Sequence, residues 1–278
     1  MRKCIVTAVW IAMATLPIAG CAPSGGGTNP STRYFAFVVN KGSNSVSAYK
    51  VNPSNGALSA VSGSPFAAGT SPWSGVVDPT GKYLYVTNNG SGTVSAYSIS
   101  SATGALTKIK GSPFAAGTGP RGIVADPTGK YLYVANNADG TVSAYAINSA
   151  TGALASVSGS PFAAGKSPAG IAVDPTGGFV YVTNGNSNDI SAYTINSATG
   201  SLSAASGSPF RVATGPGSYP GGIAVDPTGK FVYAASANSN SVSAYVINAT
   251  NGALASRGSP FPAGTGPESV ACIAIKSP

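Results

Sequence analysis

The 278 residues carry 15 Lys and Arg against 7 Asp and Glu, a formal charge of +8, and contain no histidine. Only 8% are charged, while Gly contributes 37 and Pro 21, a balance that excludes helical classes and points to short strands joined by turns. The basic residues are scattered and not interleaved with aromatics, which argues against a nucleic-acid partner. Without histidine, a histidine triad or a histidine-based metal centre is excluded, and nothing in the sequence calls for a cofactor.

The chain opens with Met1, Arg2 and Lys3, then an apolar run from Cys4 to Ile18 and the tetrapeptide Ile18-Ala19-Gly20-Cys21. This is the order of an export signal, too short for a membrane span and interrupted by Pro17. The tetrapeptide resembles the bacterial lipobox, which implies removal of residues 1–20 and acylation of Cys21. Removing Arg2 and Lys3 leaves 13 basic groups (15 less 2) against 7 acidic, or +6. The expected partner is therefore a lipid bilayer and the expected location the bacterial envelope, with Ala22 compatible with the outer membrane. Residues 21–32, rich in Gly, Ser and Pro, read as a tether.

From residue 33 the chain repeats. Ser-Ala-Tyr ends at Tyr49, Tyr97, Tyr145, Tyr193 and Tyr245, and Asp-Pro-Thr-Gly begins at Asp78, Asp126, Asp174 and Asp226. Ser-Pro-Phe ends at Phe66, Phe114, Phe162, Phe210 and Phe261. In one unit, four apolar runs (122–125, 131–135, 141–147 and 153–157) are divided by turn signals such as Asp139-Gly140. A repeat of about 48 residues with four antiparallel strands predicts a β-propeller, here of five blades. The first unit lacks an inner strand, and Ser269 to Ile275 at the C-terminus follows Pro267 as inner strands follow Pro72, Pro120, Pro168 and Pro220. The expectation is a ring closed by pairing this C-terminal strand with the three N-terminal strands.

The runs VDPTGKYLYVTNN (77–89) and ADPTGKYLYVANN (125–137), followed by TVSAY and TGAL, resemble the lactonase-type, 6-phosphogluconolactonase-like β-propeller family. That resemblance covers the chain after the tether and implies a propeller fold. Some members are lactone hydrolases, and members usually have seven blades. Its shared motifs are turns and strands, so they transfer fold better than chemistry.

The position after each repeat proline reads Trp73, Arg121, Ala169, Gly221 and Glu268, so the copies diverge there, on the face around the tunnel mouth. Trp73 between Arg121 and Glu268 predicts a site for a small polar or carbohydrate-like ligand, unless these charges only solvate a rim. Four extra residues before Pro220 enlarge a loop on the same face, carrying Arg211 and Tyr219. Asn40, Asn88, Asn136 and Asn184 offer hydrogen bonds to a polyol or, more simply, to their own hairpins. Asn137-Ala138-Asp139-Gly140 lacks the acids of a calcium loop and reads as a turn. Lys82, Lys130 and Lys230 form part of a basic ring on the opposite face.

Four of the seven acids belong to the Asp-Pro-Thr-Gly turns, leaving Asp139, Asp189 and Glu268 for water activation, of which Glu268 is best placed. Cys272, alone in an apolar run without a histidine to activate it, reads as structural. Three functions stay open: a binding or interaction module on the membrane, a lactonase with Glu268 as base and Arg121 on the oxyanion, and a structural envelope protein.

Overall fold

The computed structural model describes residues 32–212 and 217–274, together with the backbone of 11–13. The expected signal at 1–20, Cys21, and all of the tether except Thr32 otherwise lie outside the described residues, as does Ile275.

Five sheets follow one another, all antiparallel. Blade one consists of β1 (Ile11–Met13), β2 (Tyr34–Asn40), β3 (Ser45–Val51), β4 (Leu58–Ala60) and β5 (Phe66–Ala67). The other four blades open with inner strands Pro72–Val77, Pro120–Ala125, Pro168–Val173 and Pro220–Val225. Each then adds a second, a third and a short fourth strand, as the turn signals predict. The phenylalanine of each Ser-Pro-Phe triplet opens a fifth, two-residue strand that lies on the same edge of the third strand as the fourth, as where Phe162 pairs with Val142. That strand was not anticipated, because two residues have no period to read.

The core lies between blades. Strand residues such as Leu84, Val86, Leu132, Val134, Val180 and Val182 are fully buried, and clusters join the strands of one blade to those of the next. Three of the junctions are pinned by a tyrosine in the second strand, which donates to a carbonyl in the following blade: Tyr85 to Gly152 (2.9 Å), Tyr133 to Gly200 (3.0 Å) and Tyr181 to Gly252 (3.1 Å). A third-strand tyrosine reaches backwards, as Tyr97 does to the Ala67 carbonyl (2.6 Å). The turn glycine at 152 has φ 72°, and a Cβ there would stand 2.4 Å from the Tyr83 ring, so the junction itself requires glycine.

On one face of the ring, the Asp-Pro-Thr-Gly turns hold their carboxylates almost fully buried at Asp78, Asp126 and Asp174. The Asp126 carboxylate accepts from Tyr131 N (2.7 Å), Thr128 N (3.1 Å) and the Thr128 hydroxyl. Lys82, Lys130 and Lys230 stand exposed beside these turns, with Gly178 in the corresponding place of the fourth blade.

The expected closing pair is not made. Among the described residues, 269–274 form no strand, and the inner edge of β2 is held by β1, with Ile11 opposite Val38, Ala12 opposite Phe37 and Met13 opposite Ala36. The C-terminal segment lies instead against the last blade, where a Cβ on Gly222 would meet Ser269 Cα at 2.5 Å and Val270 N at 3.1 Å. Strand counting cannot distinguish two segments of the same apolar character competing for one edge.

Candidate functional site

Every inner strand from blade two onward begins with a register shift between its proline and the third residue beyond it, as between Pro120 and Ile123. The residue after the proline therefore leaves the ladder at the mouth, and its side chain is free of cross-strand packing. This local geometry explains why that position tolerates Trp, Arg, Ala and Gly in otherwise near-identical blades.

Three of the predicted residues, Trp73, Arg121 and Tyr219, meet. The Arg121 guanidinium lies over the Trp73 ring, 4.7 Å from its centroid, and Lys41 Nζ lies over the same ring at 4.5 Å. Arg121 Nη1 donates to the Tyr219 hydroxyl at 3.5 Å, and its Nε is buried without a partner. The Thr87 hydroxyl holds the Arg121 carbonyl at 2.8 Å. Tyr219 adopts φ 50°, its N–H donates to Asn188 Oδ1 (3.0 Å), and its ring covers Gly185, where a Cβ would stand 2.9 Å away. The enlarged loop thus delivers Tyr219 across two blades to Arg121.

The structure does not bring the others in. Arg211 is exposed, pairs opposite Asp189 and gives its carbonyl to Tyr245. Glu268 is exposed and has neither ion pair nor hydrogen bond among the described residues, its backbone standing beside Gly221. Lys41, at the tip of the first hairpin, takes the place beside Trp73 that was expected for Glu268. It was missed because the proline alignment ranks only inner-strand positions and Lys41 follows a second strand.

The asparagine amide groups are occupied, although Asn184 Oδ1 is buried with no partner. Asn136 accepts from Gly117 N (3.2 Å) and donates to the Thr141 and Ser143 hydroxyls at 3.0 and 2.9 Å, and Asn88 repeats the pattern. Asp139 accepts from Thr118 N, and Asp189 from the Asn184 amide and the Ser187 hydroxyl. Among the described residues, no carboxylate or thiol touches the Trp73 cluster. Cys272, partly buried on the C-terminal segment, has its pKa raised by burial and by nearby Asp226. A separate open depression of about 490 Å³, lined in part by Asn137, Asp139, Lys166 and Ser187, shares no residue with the cluster. The cluster is thus a cationic rim with an aromatic floor, two phenol or indole donors, and one unsatisfied guanidinium donor. It suits a small ligand with hydroxyls and negative charge.

The chain belongs to the family described as "Lactonase, 7-bladed beta-propeller", whose model matches residues 28–113 and 74–272. Among solved structures it resembles a proposed 6-phosphogluconolactonase of Bacteroides fragilis, at TM-score 0.73 and 19% identity over 87% of this chain and 70% of that one. It also resembles the periplasmic gluconolactonase of Pseudomonas aeruginosa, at TM-score 0.70 and 21% identity over 84% and 68%. A comparison with curated proteins found no match. The family is thereby shown, and with it a five-bladed lactonase-type propeller.

Proposed function

We propose that this protein is a lactonase-type propeller that takes an anionic, hydroxylated lactone, or the acid it opens to, on the Trp73, Lys41, Arg121 and Tyr219 cluster. The observation that carries this reading is Trp73 held between two cations, with the buried Arg121 Nε left without a partner. Membership of the lactonase family supports it, as does the gluconolactonase name of one structural relative.

In hydrolysis, a water oxygen adds to the lactone carbonyl carbon, the ring C–O bond breaks, and a proton reaches the departing ring oxygen. A carboxylate and a hydroxyl result. Arg121 and Lys41 supply positive charge where the carbonyl oxygen becomes an oxyanion, an effect typically worth about 10²–10³ in rate per donor. The same charges hold the product carboxylate, and the Tyr219 hydroxyl orients a sugar hydroxyl. Glu268 is the one acid free of structural bonds, and it is the general base in this reading.

A binding role without turnover is the second reading, favoured because no carboxylate among the described residues is in contact with the Trp73 cluster. In either case the export signature and Cys21 support a lipid anchor in the bacterial envelope, with a small polar ligand or an envelope protein as the partner.

After removal of Trp10 with the signal, Trp73 is the one tryptophan of the chain. Adding a gluconolactone should change its fluorescence and open the ring faster than buffer does, and Arg121→Ala should weaken binding about tenfold. Silent fluorescence together with buffer-rate hydrolysis would remove both readings of the site. A fluorescence change without turnover leaves the binding role alone.

A further inference from the structure

The turn face is uniform in charge, and the mouth is not. Gly129 of blade three lies against Pro79 and Thr80 of blade two, where an added Cβ would stand 3.6 and 3.9 Å away, and Gly177 and Gly229 stand likewise against Pro127 and Pro175. The Asp-Pro-Thr-Gly turns therefore abut around the ring and end at one level. Lys82, Lys130 and Lys230 take the same position after three of these turns, all exposed, and none makes an ion pair or a side-chain hydrogen bond among the described residues. The loops between third and fourth strands, at 52–57, 100–105, 148–153, 196–201 and 248–253, come to the same face and contain no charged residue.

Burial divides the acids between the two faces. At the turns, Asp78, Asp126 and Asp174 are buried and Asp226 partly so, and each carboxylate accepts from the N–H five residues on and from the threonine hydroxyl of its own turn. Asp139 and Glu268 are exposed, one on a hairpin between second and third strands and the other after Pro267, both toward the mouth. The mouth thus mixes them with the exposed Lys41 and Lys166. On the turn face the carboxylates lie beneath, while each ammonium reaches out on a flexible four-carbon stem, so a surface approaching that face meets the cations first.

The chain also enters the ring on this side. Second strands run from the turns toward the mouth, and β2 begins at Tyr34 as its counterparts begin at Tyr83 and Tyr131. Exposed Arg33 therefore stands at the turn face. Residues 21–32 can span at most about 40 Å, and a second strand of 6 residues covers about 20 Å from face to face. That length alone lets either face reach whatever holds Cys21, so the charges decide between them.

We propose that the turn face, through Lys82, Lys130 and Lys230, docks on an anionic phospholipid bilayer and leaves the Trp73 mouth open to soluble ligands on the far side. A flat layer of phosphate headgroups meets cations on blades two, three and five together, whereas a small anion cannot span those blades. The docking rests on the envelope reading of Cys21 only in that an anchor brings the bilayer within reach; the charge match needs neither the anchor nor a lactonase activity. Each lysine near such a surface strengthens binding about fivefold, and the three together about a hundredfold.

The test adds the full chain to preformed vesicles of phosphatidylcholine, alone or with phosphatidylglycerol, and reads the rate at which each lysine is acetylated by a membrane-impermeant reagent. With the anionic vesicles, Lys82, Lys130 and Lys230 should react at least about fivefold more slowly than with the neutral ones, while Lys166 keeps its rate. About 1 M salt, where the Debye length is about 3 Å, should abolish the difference. Equal slowing at Lys166, no slowing at the three lysines, or slowing that persists in salt overturns the proposal. A chain that sediments with anionic but not with neutral vesicles, and shows the expected pattern, removes the anchor and supports the docking, so the two fail separately. Slowing by soluble heparin but not by vesicles assigns the face to an acidic macromolecule and overturns the bilayer. As a second measurement, a chain carrying Lys82→Gln, Lys130→Gln and Lys230→Gln is followed by hydroxyl-radical oxidation of the adjacent Pro79 and Pro127. Their protection by anionic vesicles should disappear, and protection that survives the substitutions overturns the role of the lysines.

Discussion

The two ends of the propeller tunnel are built from the same blades and behave as opposites. On the turn face, each Asp-Pro-Thr-Gly carboxylate is fastened by backbone and hydroxyl donors, with Asp78, Asp126 and Asp174 3–4% exposed. On the mouth face, the ladder slips after every proline, the residues differ from blade to blade, and Arg121 Nε and the Ser236 hydroxyl are buried with no partner. Repetition accompanies satisfied hydrogen bonding, and divergence accompanies groups left over for something else. The lesson is that in a repeat protein the function is to be sought where the copies disagree and the local accounting fails to close.

The largest expected effect belongs to the satisfied face. Asp126→Ala removes a buried acceptor and strands three donors, at a cost of about 3 kcal/mol, which thermal unfolding reads as a fall of roughly 6–12 °C. A fall under about 2 °C would mean that the turn face is no more constrained than the mouth.

A smaller effect sharpens the contrast from the other side. Blade five carries Ser236 where the other blades carry asparagine, and the hydroxyls of Ser236 and Ser243 have no partner. Ser236→Asn restores an amide that donates to Ser243, as Asn136 does to Ser143 at 2.9 Å. It should raise stability by about 1 kcal/mol in chemical denaturation, and a loss would show that the site lacks room for the amide.

The smallest effect concerns pH. Burial works to raise the Asp226 pKa, but hydrogen bonds from the Thr228 hydroxyl and from the N–H groups of Phe231, Thr228 and Lys230 outweigh it, and the net shift is downward. A carboxylate with a lowered folded pKa stabilises the fold above its unfolded pKa, near 4, and that contribution disappears as pH falls through the folded value. The chain should therefore lose stability in acid below about pH 4, and Asp226→Asn should make that loss shallower. An unaltered acid profile would show that the Asp226 bonds do not favour its charged form.

Much of this was legible in the residues. Ser-Ala-Tyr and Asp-Pro-Thr-Gly reveal the blades because a strand period of two and a turn's need for Gly, Asp and Pro are local requirements, visible along the chain. The Trp73–Arg121 contact was also legible, since equivalent positions in successive blades are neighbours in a ring. Lys41 was not, because it comes from a different strand and reaches Trp73 only through the angle between blades. Nor were the displacement of Glu268 and Arg211 from the cluster, or the reach of Tyr219, whose ring is set by a positive φ within an irregular loop.

Sequence alone thus determined the blade, its number and the face on which the copies diverge, because each follows from short-range periodicity and turn chemistry. Tertiary structure alone decided which charges meet over Trp73 and which segment holds the β2 edge. Those choices are made between segments far apart in the chain, Ile11-Ala12-Met13 and Val270-Ala271-Cys272, that satisfy the same local rules equally well, so only packing between blades separates them.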